Sequence, residues 1–198
     1  ARGDGLSYVL AYNEFHNLKS IGIKNTNVVN DNVKNLISYT YKEGNGRLKK
    51  ISYANGDYMQ ASYNKTGQLV SEKWHDGDNN LKAHYKYVYD GQGNIVRSID
   101  IFSKKEYNYT YEDGRIMRAT ESTIVLNSSE MVTRKTLVNS IFYSYDENGR
   151  QTKKRVIPAS GSERVTEYEY PSDSAQVSRF SVGERMIMSH SKTDSFGR

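Results

Sequence analysis

A chain of 198 residues that holds 17 tyrosines, no cysteine and only 36% hydrophobic residues has the length of one domain or one block of an array, and it excludes disulfide-stapled scaffolds and thiolate metal sites. Its polarity would suit a disordered segment, but those are poor in aromatic and β-branched residues, whereas Tyr, Ile, Val and Thr fill this one. The net charge of +5 comes from basic pairs such as Lys49-Lys50, Lys104-Lys105 and Arg134-Lys135, scattered among acidic residues, which fits a solvated sheet surface rather than a phosphate-tracking groove. Nucleic acid is therefore not the expected partner. No run approaches ~18 apolar residues, so no membrane insertion is expected.

From the N-terminus, Tyr12-Asn13-Glu14-Phe15-His16-Asn17-Leu18 reads as a worn strand–turn–strand unit. His16 stands where a turn glycine is expected, and histidine tolerates positive φ better than most residues. Residues 24–33, rich in Asn with Asp, read as a loop. Tyr39-Thr40-Tyr41 leads into a longer turn that holds Gly44 and ends Gly46-Arg47-Leu48. Ala54-Asn55-Gly56-Asp57 is a hairpin signal. Tyr63 leads into Asn64-Lys65-Thr66-Gly67-Gln68-Leu69, and a further turn signal follows at Asp76–Asn80. Tyr87-Val88-Tyr89-Asp90 runs into Gly91-Gln92-Gly93-Asn94-Ile95, and Tyr109-Thr110-Tyr111 into Glu112-Asp113-Gly114-Arg115-Ile116, the latter close to a two-residue Asp-Gly turn.

The clearest copy is Tyr143-Ser144-Tyr145-Asp146-Glu147-Asn148-Gly149-Arg150. Tyr143 and Tyr145 share one strand face, Asp146 can hold a type I turn by accepting from backbone N–H groups ahead of it, Gly149 takes the left-handed position, and Arg150 opens the return strand. Tyr168-Glu169-Tyr170 begins another copy, and Asp194-Ser195-Phe196-Gly197-Arg198 supplies a last turn. The strand before that turn, near Met186–Lys192, is expected at the edge of the sheet. Both prolines, Pro158 and Pro171, fall at turns.

Alternation completes the picture. Tyr85, Tyr87 and Tyr89 share a face, as do Tyr107, Tyr109 and Tyr111, and Ile141, Tyr143 and Tyr145; on a returning strand Ile95, Ile99 and Ile101 line up. The expected fold is all-β: repeated antiparallel hairpins in one continuous meander sheet, with the tyrosine faces forming ladders of cross-strand aromatic pairs.

The spaced pattern Tyr-Asp-x-x-Gly-Arg/Asn, as in Tyr145-Asp146-Glu147-Asn148-Gly149-Arg150 and Tyr89-Asp90-Gly91-Gln92-Gly93-Asn94, resembles the YD repeat of the Rhs family. That family includes bacterial Rhs and wall-associated proteins, shell components of insecticidal toxin complexes, and animal teneurins. The resemblance runs from Tyr12 to Arg198, with His16 in place of the turn glycine and Asn64 in place of the aspartate. It implies a twisted and curled sheet, an open segment of a YD-repeat shell, with residues 1–198 forming a single block of about seven hairpins, the first and last degenerate or cut short. By resemblance the turn motif residues are Gly46, Arg47, Gly67, Asp90, Gly93, Gly114, Arg115, Asp146, Gly149 and Arg150. The implied protein is a non-enzymatic scaffold, a piece of a larger bacterial protein that is secreted or sits on the cell surface. Its implied partners are further YD repeats of its own polypeptide and a C-terminal toxin or cargo domain. The family's self-cleavage motif contains an Asp-Pro pair, which this chain lacks, so that activity is not carried over.

No catalytic constellation stands out. His16, His75, His84 and His190 are scattered without metal-ligand spacing, and no cofactor is expected. Gly91-Gln92-Gly93 is a turn rather than a phosphate cradle because no helix follows it. The alternative from another class is a carbohydrate-binding or adhesive module, since apolar sugar faces stack on flat rings. Trp74, Tyr87, Tyr89, Tyr109 and Tyr111 would be its platform, against the plainer reading of those rings as packing. Arg2-Gly3-Asp4 matches an integrin-binding tripeptide, read as a chance match.

Overall fold

The structure is a computed structural model that describes residues 5–172, 177–183 and 185–189. The Arg2-Gly3-Asp4 tripeptide, His190 and the turn Asp194–Arg198 lie outside the described residues. Among the described residues fifteen strands occur and no helix. They are β1 (Leu6–Tyr12), β2 (Leu18–Asn25), β3 (Lys34–Tyr41), β4 (Leu48–Tyr53), β5 (Tyr58–Tyr63), β6 (Leu69–His75), β7 (Leu81–Tyr89), β8 (Ile95–Asp100), β9 (Lys105–Glu112), β10 (Arg115–Leu126), β11 (Val132–Tyr145), β12 (Gln151–Pro158), β13 (Arg164–Glu169), β14 (Arg179–Val182) and β15 (Arg185–Ser189). They form one open antiparallel meander in which strand order equals chain order. β15 ends that order, as expected for the strand near Met186. The chain divides into two units: Ala1–Tyr87 with Asp100–Ser103, and Val88–Ile99 with Lys104–Arg198.

One turn, made repeatedly, sets the hairpins. Asn13, Asn64, Asp76, Asp90, Asn127 and Asp146 each open it. The first residue donates its N–H to the fifth carbonyl, and the fourth donates to the first carbonyl. The first side chain then accepts from the fifth N–H through Oδ1 at 2.8–2.9 Å. The fourth residue is left-handed each time, with φ of 61° at His16, 93° at Gly67, 68° at Asn79, 91° at Gly93, 55° at Glu130 and 77° at Gly149. A short Asx side chain fits because it replaces a backbone acceptor without lengthening the loop. One-residue register shifts beside the turns, as between Ser62 and Tyr63 and between Ser144 and Tyr145, mark the accompanying bulge. Asp113 and Gly114, with φ of 49° and 75°, make the expected two-residue turn between Glu112 and Arg115.

Register explains the two faces. In the first unit Tyr8 opposes Ile23, Ile37 opposes both Ile21 and Tyr53, Tyr39 opposes Ile51, and Met59 opposes both Ile51 and Trp74. That face is apolar and aromatic, while Ser20, Ser38, Ser52, Lys50 and Gln60 fall on the other. In the second unit Tyr109 opposes Ala119, which opposes Ile141, and Tyr143 opposes Lys154. The expected ladder of directly paired aromatic rings is therefore corrected. The bulged turn brings Tyr12 opposite Leu18, Tyr41 opposite Leu48 and Tyr63 opposite Leu69, so these pre-turn tyrosines meet an aliphatic residue rather than a second ring.

Met59, Ile99, Ile101, Ala119 and Ile124 are the buried hydrophobic side chains among the described residues. A layer so thin supplies little burial energy at ~25 cal/mol per Å², so contacts between hairpins carry more of the load. Ile101 departs from the expected alignment with Ile95 and Ile99, since β8 ends at Asp100. Its N–H donates instead to the His84 carbonyl at 2.8 Å. No helix among the described residues is long and apolar enough to cross a membrane.

Candidate functional site

The repeated chemistry of this chain lies at the turn margin, where one hairpin is fastened to the next. The tyrosine just before a main turn donates its hydroxyl to a carbonyl of the preceding hairpin: Tyr41 to Leu18 at 2.7 Å, Tyr111 to Ile95 at 2.9 Å, Tyr145 to Ile116 at 2.8 Å and Tyr170 to Gln151 at 2.8 Å. The acceptor always stands two residues beyond the left-handed residue, whether that is His16, Gly93, Gly114 or Gly149. Geometry dictates this choice. The first carbonyl after a bulged turn lacks a ladder partner on one side, and the tyrosine ring is the right length to lie along the sheet and reach it. Burial pushes the hydroxyls of Tyr41, Tyr111 and Tyr170 above their ordinary pKa.

Arginine adds a second link in the same direction. Arg47 lies over the Tyr63 ring at 5.8 Å, Arg115 over Tyr145 at 5.9 Å and Arg150 over Tyr170 at 4.9 Å. Each follows a left-handed glycine of one hairpin and covers the pre-turn tyrosine of the next. Arg150 also pairs with Asp146 of its own turn at 2.7 Å and donates to the Pro171 carbonyl at 2.8 Å. The contact explains the next glycine as well. A Cβ on Gly67 would meet Arg47 at 2.0 Å, and one on Gly149 would meet Arg115 at 2.4 Å. The sequence singled out these arginines and glycines as a turn motif, and the structure brings them together across hairpins rather than within one.

Two carboxylates brace the second unit. Glu106 is fully buried and accepts from Arg97 at 2.5 Å, from Asn108 at 2.9 Å and from Lys135. Burial pushes its carboxyl up, but the donors together outweigh burial and hold its pKa below the ordinary value. On the tyrosine face Glu121 accepts from Lys105 at 2.7 Å and from Asn139 at 2.8 Å, and the Lys105 bond is the main reason its pKa is lowered. Neither carboxylate was legible as special in the sequence, because its cations come from strands many residues away. Among the described residues no cluster could hold a metal ion.

Of the proposed sugar platform, Trp74 and Tyr87 lie in the first unit and Tyr89, Tyr109 and Tyr111 in the second. Tyr87 donates to Glu72 at 3.2 Å, Tyr109 sits 3.2 Å from the Ser98 hydroxyl, and Tyr111 makes the carbonyl bond above. Burial raises the Tyr89 pKa. These four are half-buried and built into the sheet. Trp74 instead stacks with Tyr53, ring centroids 6.4 Å apart and planes at 24°. The pair walls an open groove of about 640 Å³ that also touches Asn55, Asp57, Asp76 and Lys82. Sequence reasoning missed Tyr53, whose signal was its place at the end of β4, one strand removed from Trp74 on the same face. His75 stacks flat on Tyr58 at 4.6 Å, and Asp76 beside it is tied into its own turn and to Lys82 at 2.7 Å.

No family model and no curated protein matches the sequence. Solved structures do. The crystal structure of TcdB2-TccC3 aligns with 88% of this chain at a TM-score of 0.62 and 20% identity, and so does that of TcdB2-TccC3-Cdc42. The chain has their fold. The Photorhabdus luminescens Tc holotoxin pore aligns with 82% of this chain at a TM-score of 0.60 and 21% identity. The chain spans only 8–9% of the length of these Tc toxin proteins. They are Rhs/YD-repeat shell proteins, so the resemblance carried by the turn motif and the likeness in fold point the same way.

Proposed function

We propose that this chain is a length of non-enzymatic YD-repeat wall in a secreted or cell-surface bacterial protein, one that encloses a toxin or other cargo domain. The observation that carries the reading is the margin of hairpin-to-hairpin links: tyrosine, arginine and glycine at the repeated positions all serve to join one hairpin to the next. The fold of Tc toxin shells, and the small share of their length that this chain spans, support a segment that continues in further repeats of the same polypeptide. The test compares Tyr109→Ala and Tyr143→Ala with the parent chain. As packing residues each should lower unfolding free energy by roughly 2–4 kcal/mol in denaturant melts. Unchanged midpoints for both would remove the wall reading.

The groove between Tyr53 and Trp74 favours a second reading, a glycan-binding module. Trp74 is the single tryptophan of the chain, so its fluorescence reports directly on that groove. Retention on a glycan array, with a Trp74 emission change that disappears in Tyr53→Ala while the melt is unaltered, would put this reading first.

A further inference from the structure

The groove walled by Tyr53 and Trp74 lies against two turns that pack on each other. A Cβ on Gly56 would meet the Gly77 Cα at 3.0 Å, and one on Gly77 would meet the Asn55 carbonyl oxygen at 3.0 Å. The Tyr58 hydroxyl donates to the Asn79 side chain across the same pair of turns. The rim is therefore set before any ligand arrives, which lowers the ordering cost of binding. It is also acidic. Asp57 and Asp76 line the groove together with Lys82. Asp76 holds Lys82 at 2.7 Å, and the charges of Asp57 and Asp78 add to that bond in keeping the Lys82 pKa above its ordinary value. Three carboxylates thus act on one ammonium, in a chain whose net charge is +5. Among the described residues Asp57 has no ion pair; its Oδ2 accepts from the Asn55 amide at 2.8 Å.

The chain shows elsewhere what fills an aromatic ring with a carboxylate beside it. Arg150 lies over Tyr170 at 4.9 Å and pairs with Asp146 at 2.7 Å. Arg155 lies over Phe142 at 5.9 Å and pairs with Glu163 at 2.6 Å. A planar guanidinium can stack on the ring and donate to the acid at once, which an ammonium does poorly. Tyr53 and Trp74 offer the same two elements, yet among the described residues no guanidinium lies over either ring. We infer that this groove binds an arginine side chain carried by an extended segment of a partner protein, with the guanidinium on the Tyr53–Trp74 pair and hydrogen-bonded to Asp57. A neutral sugar would use the same rings but not the acidic excess of the rim. Such a site stands or falls separately from the wall reading, which the Tyr109 and Tyr143 melts decide.

Trp74 is the single tryptophan, so its emission reads occupancy. The probe is a capped pentapeptide with one arginine among glycines, titrated into the whole chain beside counterparts that carry lysine or citrulline instead. The arginine peptide should change Trp74 emission saturably. The lysine peptide should bind about threefold more weakly, and the citrulline peptide, which keeps the shape without the charge, about tenfold more weakly. The arginine response should also weaken at ~1 M salt. Asp57→Asn, which keeps an acceptor for Asn55, should lower the affinity about tenfold and leave the melting midpoint in place. If that variant does not fold, the salt and citrulline results on the parent chain decide. Equal binding of the citrulline peptide, or a response to a neutral oligosaccharide and none to the arginine peptide, would overturn the guanidinium and leave the groove to the glycan reading. Equal binding of the lysine peptide would also overturn it, and no saturable response to any peptide would overturn the site. A Trp74 change that follows protein concentration alone would make the occupant a second copy and overturn the partner.

Discussion

Gly149→Val set against Gly91→Val isolates what the repeated turn demands. Gly149 is left-handed at φ +77°, a region that a β-branched residue occupies at a cost of roughly 1–3 kcal/mol. Its new Cβ would also come within 2.4–2.9 Å of three guanidinium atoms of Arg115. Arg115 is exposed and flexible, so it would swing away and surrender its place over Tyr145, worth about 0.5–1 kcal/mol. The sum is about 1.5–4 kcal/mol. Gly91 has no positive φ and open space where a Cβ would stand, so its substitution should fall within about 0.5 kcal/mol. With a urea slope of about 1–3 kcal/mol/M, the Gly149 variant should unfold roughly 1 M earlier. Gly114→Val divides the cost, because Gly114 shares the conformation at φ +75° but has nothing within 4 Å. It should show the backbone strain alone. In an Arg115→Ala background the excess at Gly149 should vanish. Coincident midpoints for the Gly91 and Gly149 variants would refute the turn assignment, and an excess that survives Arg115→Ala would refute the arginine contact.

Tyr111→Phe should cost about 0.5–1.5 kcal/mol at neutral pH by deleting the bond to Ile95; calorimetry showing no loss would mean that water replaces the link. Because the folded pKa values of Tyr41, Tyr89, Tyr107, Tyr111, Tyr143 and Tyr170 are raised, their stabilisation is complete below the ordinary tyrosine pKa of about 10 and is lost as pH rises through the raised values. Melting temperature should thus hold to about pH 9.5 and then fall, in step with tyrosinate absorbance. For Glu106 the sign reverses: its lowered pKa gives stability that is present above the usual carboxylate range and lost as pH falls through the folded value. Glu106→Gln should be less stable by about 1–3 kcal/mol near pH 7, and the gap should close in acid; a gap independent of pH would show that the carboxylate charge is not what matters.

The hairpins were legible because their signals are local. An Asx residue, a left-handed residue three later and a tyrosine just before are set by a handful of adjacent atoms, so even the worn copy at His16, with φ 61°, was readable. The links were not legible, since Arg115 and Tyr145 are thirty positions apart while Arg150 and Tyr170 are twenty apart, and no fixed period exposes a contact whose spacing varies. The aromatic ladder was misread for a related reason. Tyrosine spacing along one strand says nothing about the bulge that decides which residue of the next strand lies opposite. Trp74 was grouped with tyrosines of the repeat motif, whereas the ring it stacks on is Tyr53, which precedes a secondary turn and lies outside that motif.

The carbonyl links join residues 16, 19, 23 and 29 positions apart, yet each reaches the same atom in the same geometry. Within each unit these links all lie along one margin of turns. In the first unit the far end of the strands holds both the loop of residues 26–33 and the tight turn at 54–57, and in the second unit β10 and β11 run to 12 and 14 residues before turning. Lengthening a far-end loop leaves these tyrosine–carbonyl links in place, and the added loop costs only about 0.6 kcal/mol for each doubling. In each unit the tyrosine margin thus works like a book's spine: inserts at the opposite border, new binding loops included, can change length without rewriting the code that holds the pages in order.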